Sequence, residues 1–329
     1  MVRFNYFESL QLIINEDDFE NLALEVFRYQ FQNNKVYSEF VKSFSISPEK
    51  IKSINEIPFL PVEIFKTNKV LTGNENYQQI FTSSGTTGSQ TSKHYIKDIS
   101  FYEKIFSKIF SSFYSSSSDY TILALLPSYL EIEGSSLIYM TDKLIKASHS
   151  ASSGFYLDEY RKLFSVLEQL KKEKRKTILF GVTYALLDFI STFKINFPEL
   201  IVMETGGMKG KRKEMVREEV HELLCAGFGV EVIHSEYGMT ELLSQAYSSG
   251  KGIFKSPAWM RILVRDPYDP LEPAALKTSG GINIIDLANI DSCAFISTQD
   301  LGKVYPDHSF EVIGRFDFSD VRGCNLIID

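Results

Sequence analysis

Short apolar runs, "YTILALLP", "KTILFGV", "ELIVMETGG" and "VEVIHSEYG", recur between residues 120 and 238, with helical stretches between them. Runs this short, alternating with helices, pack as β-α units that feed a largely parallel sheet, so the expected class is α/β. Upstream the period changes. Phe19, Leu22, Ala23, Val26 and Phe27 fall on one helical face, and Tyr37, Phe40, Val41 and Phe44 repeat the pattern. In "SINEIPFLPVEIFKT", Pro58 and Pro61 exclude a regular helix interior and favour an extended, packed connector. In "GKRKEMVREEVHELLCAGFG", Val216, Val220, Leu223 and Leu224 share a face, and Gly227 is placed to end the helix. From Arg261 onward "RILVRD", "GGINIIDLA", "CAFISTQD" and "SFEVIGRFD" read as strands joined by short turns, which predicts a β-rich C-terminal subdomain.

With 44% hydrophobic and 13% aromatic residues, the 329-residue chain can fill sizeable cores, and no linker or repeat divides it. A single unit with subdomains is expected. Its 35 basic and 42 acidic side chains leave a net charge of -7, which gives no electrostatic footprint for nucleic acid. The opening "MVRFNYFESLQLIINEDDF" is interrupted by Asn5, Glu8 and Asn15, and no run approaches the ~18 apolar residues of a membrane span. The expectation is a soluble, cytoplasmic protein without membrane insertion. Cys225, Cys293 and Cys324 are scattered, so they suggest neither a disulfide framework nor a zinc site. Cys225 and Cys293 read as core residues. His149 and His234 are candidate bases, although a lone His is more often structural, and His221 reads as solvent-facing among helix charges. The basic run Lys171 to Lys176 reads as a solvated helix end or an anion patch.

"FTSSGTTGSQTSKHY", Phe81 to Tyr95, contains almost nothing that packs into a core. By composition it is either a linker or a backbone cradle for phosphate. Gly85 and Gly88 can take positive φ, while Thr82, Ser83, Ser84, Thr86 and Thr87 supply hydroxyls beside backbone N–H groups. A Walker-type loop is excluded, because Lys93 arrives only after Ser89, Gln90, Thr91 and Ser92.

This stretch resembles the phosphate loop of the adenylate-forming superfamily, with an extra Ser before the first Gly and further residues before Lys93. "EYGMTE" (236–241), "TQDLG" (298–302) and "GRFDFSDVRG" (314–323) follow in that family's order. "IPFLPVEIFK", "TGGMKGKRKEM" and "RGCNLIID" narrow the similarity to LuxE-like acyl-protein synthetases, near the phenylacetate-CoA ligases. The resemblance implies an adenylate-forming large-domain fold with mixed and parallel sheets flanked by helices. It also implies ATP and Mg²⁺ as cofactors and a carboxylic, fatty, acid as substrate. Thr82, Ser83, Ser84, Gly85, Thr86, Thr87 and Gly88 would hold the β- and γ-phosphates, assisted by Lys93. Glu241 would be the Mg²⁺-associated carboxylate and Thr240 the α-phosphate contact. Tyr237, followed by Gly238, would lie near the adenine, which Gly206 and Gly207 would let the backbone approach. Asp300 would accept from the ribose hydroxyls, and Arg315 would add a ribose or phosphate contact.

The family's pattern also sets the expected division, a core over 1–313 and a hinge-like tail over 314–329. Longer relatives continue past this hinge into a small mobile domain, whereas this sequence ends at Asp329, which puts ordinary CoA ligation in doubt. Cys324 follows Asp317 closely enough to reach back about 25 Å if extended. Arg322 would favour its thiolate, and the resemblance implies that it accepts the acyl group before an acyl-CoA-reductase-like partner does. The alternatives are a CoA ligase of the phenylacetate type with a separate lid, or a non-catalytic nucleotide-binding subunit of a reductase. Tyr129, Leu137, Tyr139, Phe155 and Tyr156 are candidates either for an acyl pocket or for the core.

Overall fold

The computed structural model describes residues 6–83, 90–126, 134–206, 215–266 and 278–316. The chain begins with helices α1 (Tyr6–Gln11), α2 (Glu16–Asn33) and α3 (Lys35–Ser43). Asn15 caps α2 by accepting from the Asp18 N–H, and Glu16, Asp17 and Asp18 place negative charge on its positive end. Phe19, Ala23, Val26 and Phe27 are buried, as their spacing predicts. The proline-rich connector is extended at β1 (Leu60–Pro61) and then makes the single turn α4 (Ile64–Thr67).

A separate hairpin, β2 (Gln79–Thr82) with β3 (Lys93–Ile96), leads into α5 (Ile99–Tyr114), which Asp98 caps through the N–H groups of Ser100 and Phe101. The β-α units follow: β4 (Thr121–Leu125), α6 (Ser136–Ala147), β5 (Gly154–Phe155), α7 (Tyr160–Lys172), β6 (Thr177–Val182), α8 (Thr183–Thr192), β7 (Ile201–Thr205), α9 (Arg217–Phe228) and β8 (His234–Tyr237). β9 (Ala246–Ser248) closes their sheet, whose order is β5-β4-β6-β7-β8-β9. All its pairings are parallel except β8 with β9. β4 and β6 are buried along their whole length, which explains why they read as continuous apolar runs rather than alternating ones.

The β-rich subdomain is the meander β10 (Met260–Arg265), β11 (Gly280–Asp286), β12 (Phe295–Val304) and β13 (Phe310–Arg315), with β1 added parallel to β12. Its antiparallel register places Asp300 opposite Arg315. β13 includes Gly314 and Arg315, the first residues of the expected tail, while Cys324 and the rest of 317–329 lie outside the described residues.

Two apolar cores result. One lies among α7, α8, α9 and their strands, and a larger one joins the N-terminal helices, α5 and the meander. The N-terminal helices are also pinned by polar contacts. Gln30 Nε2 donates to the carbonyls of Asn289, Ile290 and Ser292, and its oxygen accepts from the Ala294 N–H. No helix among the described residues is long and apolar enough to cross a membrane.

Details of α9 differ from expectation. Gly229, at φ +68°, ends the helix, not Gly227. Gly227 lies inside it, where a Cβ would come within 2.5 Å of the Ile190 side chain, so its role is close packing against α8. Val216 and Leu223 are exposed, because the buried face runs through Val220 and Leu224. His221 is not solvent-facing: it turns inward, 3.4 Å from Glu204 Oε1. Cys293 is buried as expected, just before β12 rather than in it.

Candidate active site

The Ser/Thr/Gly stretch joins β2 to β3 in the sequence. Thr82 pairs with Lys93, and the base is closed by Ser83 N–H to Ser92 O (3.1 Å) and Ser92 N–H to Ser83 Oγ (2.9 Å). Thr82 N–H also donates to Gly134 O at 2.9 Å. Gly134 has φ +86°, and a Cβ there would lie 3.0 Å from Thr82 Oγ1, so the approach needs glycine. Ser84, Gly85, Thr86, Thr87 and Gly88 lie outside the described residues.

Strand alternation sends Lys93 into solvent and His94 inward. His94 Nδ1 is 2.8 Å from Thr240 O, and Nε2 is 3.0 Å from Asn289 Oδ1. The Asn289 amide donates to Glu241 O (2.8 Å) and Cys293 O (2.9 Å). His94 and Asn289 therefore grip the backbone of both Thr240 and Glu241. Burial pushes the His94 imidazole down to about 4 against the pull of its two hydrogen bonds, so the ring is neutral at pH 7. The Phe65 ring packs edge-on against it.

Glu241 is buried and hydrogen-bonds the side chain of Ser92, the last residue of the loop. Burial raises its carboxyl above the ordinary value, opposed by Ser92, by its own backbone N–H and by the more distant charges of Arg315 and Lys66. The carboxylate is thus held in a dry place without a contacting cation among the described residues.

Tyr237, at the end of β8, donates from Oη to Asp300 Oδ2 at 2.7 Å. Arg315 Nε donates to Asp300 Oδ1 at 3.0 Å, and Asp300 N–H is taken by Thr298 Oγ1. The tyrosine ring lies edge-on to Phe254 and Phe310. Burial first, then Asp300, raises its phenol well above the ordinary value. Arg315 thus connects the two ends of the site, touching Asp300 and acting through its charge on Glu241.

Gly206 follows β7 at φ +59°, beside the end of β8, where open parallel sheets hold ligands. Thr183 Oγ1 lies 3.4 Å from Gly206 O and donates to Glu204 Oε2 at 2.7 Å. Burial works to raise the Glu204 carboxyl, but His221, Thr183 and the charge of Arg217 outweigh it and hold it below the ordinary value. Gly207 is outside the described residues. Glu236, one residue before Tyr237, is buried on the opposite face of β8, accepts from Thr205 Oγ1 at 2.6 Å, and is raised to about 7 by burial.

The described parts of the expected site therefore converge: the closed base of the loop, Thr240, Glu241, Tyr237, Asp300 and Arg315. His149 is exposed, and His234 is bonded to Tyr114 Oη at 3.0 Å, away from the Thr240 end of the segment. Tyr129 lies outside the described residues; Tyr139 is fixed to Glu103 and packs on Phe81 and Tyr102, while Tyr156 bonds Ser152 O. His94, Ser92, Asn289 and Glu236 were not foreseen as site residues. The alternation of β3 could have flagged His94, since the residue after an outward Lys93 must point inward.

Residues 9–329 match the family model described as acyl-protein synthetase, LuxE. The chain is 23% identical over 328 residues to the long-chain-fatty-acid–luciferin-component ligase of Vibrio harveyi, covering 93% of this chain and 85% of that protein. The protein of that name from Aliivibrio fischeri is also 23% identical, over 332 residues, covering 93% of this chain and 86% of its own length. Among solved structures, a 2-hydroxyisobutyryl-CoA ligase superposes with a TM-score of 0.65 at 12% identity, over 92% of this chain and 70% of that one. MatB from Rhodopseudomonas palustris gives 0.52 at 16% identity, over 72% of this chain and 47% of that one.

Proposed function

The chain belongs to the LuxE acyl-protein synthetase family, and from that premise we propose that it activates a carboxylic acid with ATP as an acyl-adenylate and passes the acyl group to a protein thiol. The observation that carries this reading is the junction of the hydroxyl-rich loop with the acidic segment, where Ser92 meets Glu241 and His94 holds Thr240.

In the first step a carboxylate oxygen bonds to the α-phosphorus of ATP. The bond from that phosphorus to the bridging oxygen breaks, and its electron pair leaves with pyrophosphate. Both reactants are anionic, so positioning and charge stabilisation are the protein's task. The loop, Thr82 to Gly88, would cradle the β- and γ-phosphates, with Lys93 supplying positive charge. Thr240 would face the α-phosphate. Asp300, already oriented by Tyr237 and Arg315, would accept from the ribose hydroxyls, with Gly206, Gly207 and Gly238 giving backbone access to the base. Magnesium is commonly held by one or two carboxylates together with substrate phosphates. Glu241 fits that donor set, since burial raises its carboxyl and a cation would relieve the burial. Bound there, Mg²⁺ would neutralise developing phosphate charge.

In the second step a thiolate attacks the acyl carbonyl carbon and AMP departs with the electron pair of the broken C–O bond; the thiol proton goes to solvent. Cys324 is the proposed first acceptor, and a reductase-like protein the subsequent one. The relatives' names supply the substrate class, a fatty acid. Intact-mass analysis after incubation with ATP and acid should show an acyl adduct that hydroxylamine removes. Cys324→Ala should abolish it, and unchanged acylation of that variant would refute the terminal acceptor.

A further inference from the structure

β8 ends just before Thr240, and its two faces are built differently. The Tyr237 face is filled by Asp300, Phe254 and Phe310. The other face presents Gly238, which is exposed, and behind it Glu236, which is buried. Glu236 packs directly against Gly238, where a Cβ would lie 2.6 Å from Glu236 Oε1 and 3.4 Å from Gln245 Cγ.

The buried groups on this face are polar. Glu236 Oε2 accepts from Thr205, but no described residue donates to Oε1. Tyr247 is paired with Glu236 across the β8–β9 ladder, and its Oη is buried without a hydrogen-bond partner. Gln245 Oε1 is likewise buried and unpartnered. Both side chains are more than nine-tenths buried, at 1% and 5% exposure. An orphaned buried acceptor costs about 1–3 kcal/mol, and a hydrocarbon tail would satisfy none of these groups.

We propose that Glu236, Gln245 and Tyr247 form a specificity site that selects an acid whose chain carries a hydrogen-bond donor, a hydroxyl or an ammonium group, over the plain aliphatic acid of equal length. This rests on the adenylating function and narrows its substrate class away from the unsubstituted fatty acid. The donor would bond to the free oxygens of Glu236 and Gln245, and Tyr247 Oη would serve as donor or acceptor beside them. Sites built to bond a substrate donor reject analogues lacking it far more strongly than apolar pockets reject a missing methylene.

The test is acid-dependent exchange of labelled pyrophosphate into ATP by the full chain. The panel contains acids of matched length bearing a hydroxyl, an amine or no substituent, at successive chain positions. At least a tenfold higher kcat/KM for one of the substituted acids is expected, and the preferred substituent separates the hydroxyl from the ammonium source. Tyr247→Phe, which removes one oxygen, and Gln245→Leu should each narrow that preference. Glu236→Gln should weaken selection of an ammonium more than of a hydroxyl. Melting curves establish that each variant is folded, and Tyr247→Phe keeps the test valid if Gln245→Leu does not fold. Preference for the unsubstituted acid, or a preference unaffected by the substitutions, overturns the specificity site and shows that the orphaned groups hold only water. Absence of exchange with every acid of the panel refutes the adenylating function itself, a different result.

Discussion

Glu241 and Asp300 are equally buried, each 5% exposed, yet the chain treats them differently. Asp300 has its partners built in: the Tyr237 hydroxyl and the Arg315 guanidinium fix its two oxygens, and the Thr298 hydroxyl accepts from its backbone N–H. Glu241 has a hydroxyl neighbour and backbone held by Asn289, but its nearest cations act only at longer range. The first is a finished hydrogen-bonding element. The second is a carboxylate whose burial is only partly offset, by Ser92 and its own backbone N–H, and under the proposed function the difference would separate an orienting role from a charge-handling one.

The comparison predicts the largest effect at Glu241. Glu241→Gln keeps the shape and the backbone contacts, so it should leave the melting temperature near wild type while lowering kcat for exchange about 100-fold or more. Equal activity would show that the carboxylate handles no charge. Asp300→Ala should act differently, raising the KM for ATP about tenfold or more, because hydrogen bonds to charged groups are worth about 1.5–3 kcal/mol. It should also destabilise the fold by removing the acceptor of the buried Tyr237 Oη. If the two variants gave the same kinetic signature, the division of roles would fail.

His94→Leu probes what holds the charge-handling side in place. A neutral ring carries one N–H, so losing it leaves one of Thr240 O and Asn289 Oδ1 without its donor, an expected cost of about 1–3 kcal/mol in denaturant unfolding. The kcat for exchange should fall with it, more than the KM for ATP. Unchanged kcat in the folded variant would break the link between His94 and the reacting end.

Glu236 offers a pH test of comparable size. Burial raises its carboxyl from 4.5 to about 7, so the folded state binds the proton more tightly than the unfolded chain. Its contribution to stability is full below pH 4.5 and is lost as pH rises through about 7. The loss is on the order of 3 kcal/mol, and Glu236→Gln should flatten that part of the stability profile. A wild-type profile with the same slope as the variant would contradict it.

The smallest effect belongs to Arg315. Its side chain is 77% exposed, so solvent screens the ion pair. Arg315→Ala should cost under about 1 kcal/mol of stability while weakening ATP binding a few-fold. A loss comparable with that of Asp300→Ala would mean that the guanidinium, not the tyrosine, orients the carboxylate.

The uneven legibility of the sequence follows the same division. Tyr237, Thr240, Glu241, Asp300 and Arg315 stand inside short motifs whose order could be read, because the relevant chemistry resides in their side chains. His94, Asn289 and Gln30 act by gripping carbonyls of residues far away in the chain, and no local pattern announces such a contact. The strands of the parallel sheet were legible because complete burial leaves continuous apolar runs. The end of α9 was misread because two glycines lie two residues apart: Gly227 answers to packing against Ile190, and only Gly229 has positive φ. A sequence records that glycine is required, not which of the two reasons applies.

The most direct measurement is exchange of labelled pyrophosphate into ATP, with and without added carboxylic acid, on the wild-type chain and on Glu241→Gln side by side. Expected is exchange that depends on an acid and collapses in the variant while its melting curve is preserved. Exchange absent with every acid, or equally strong in the variant, would contradict the convergence of loop, carboxylate and nucleotide on one reacting centre.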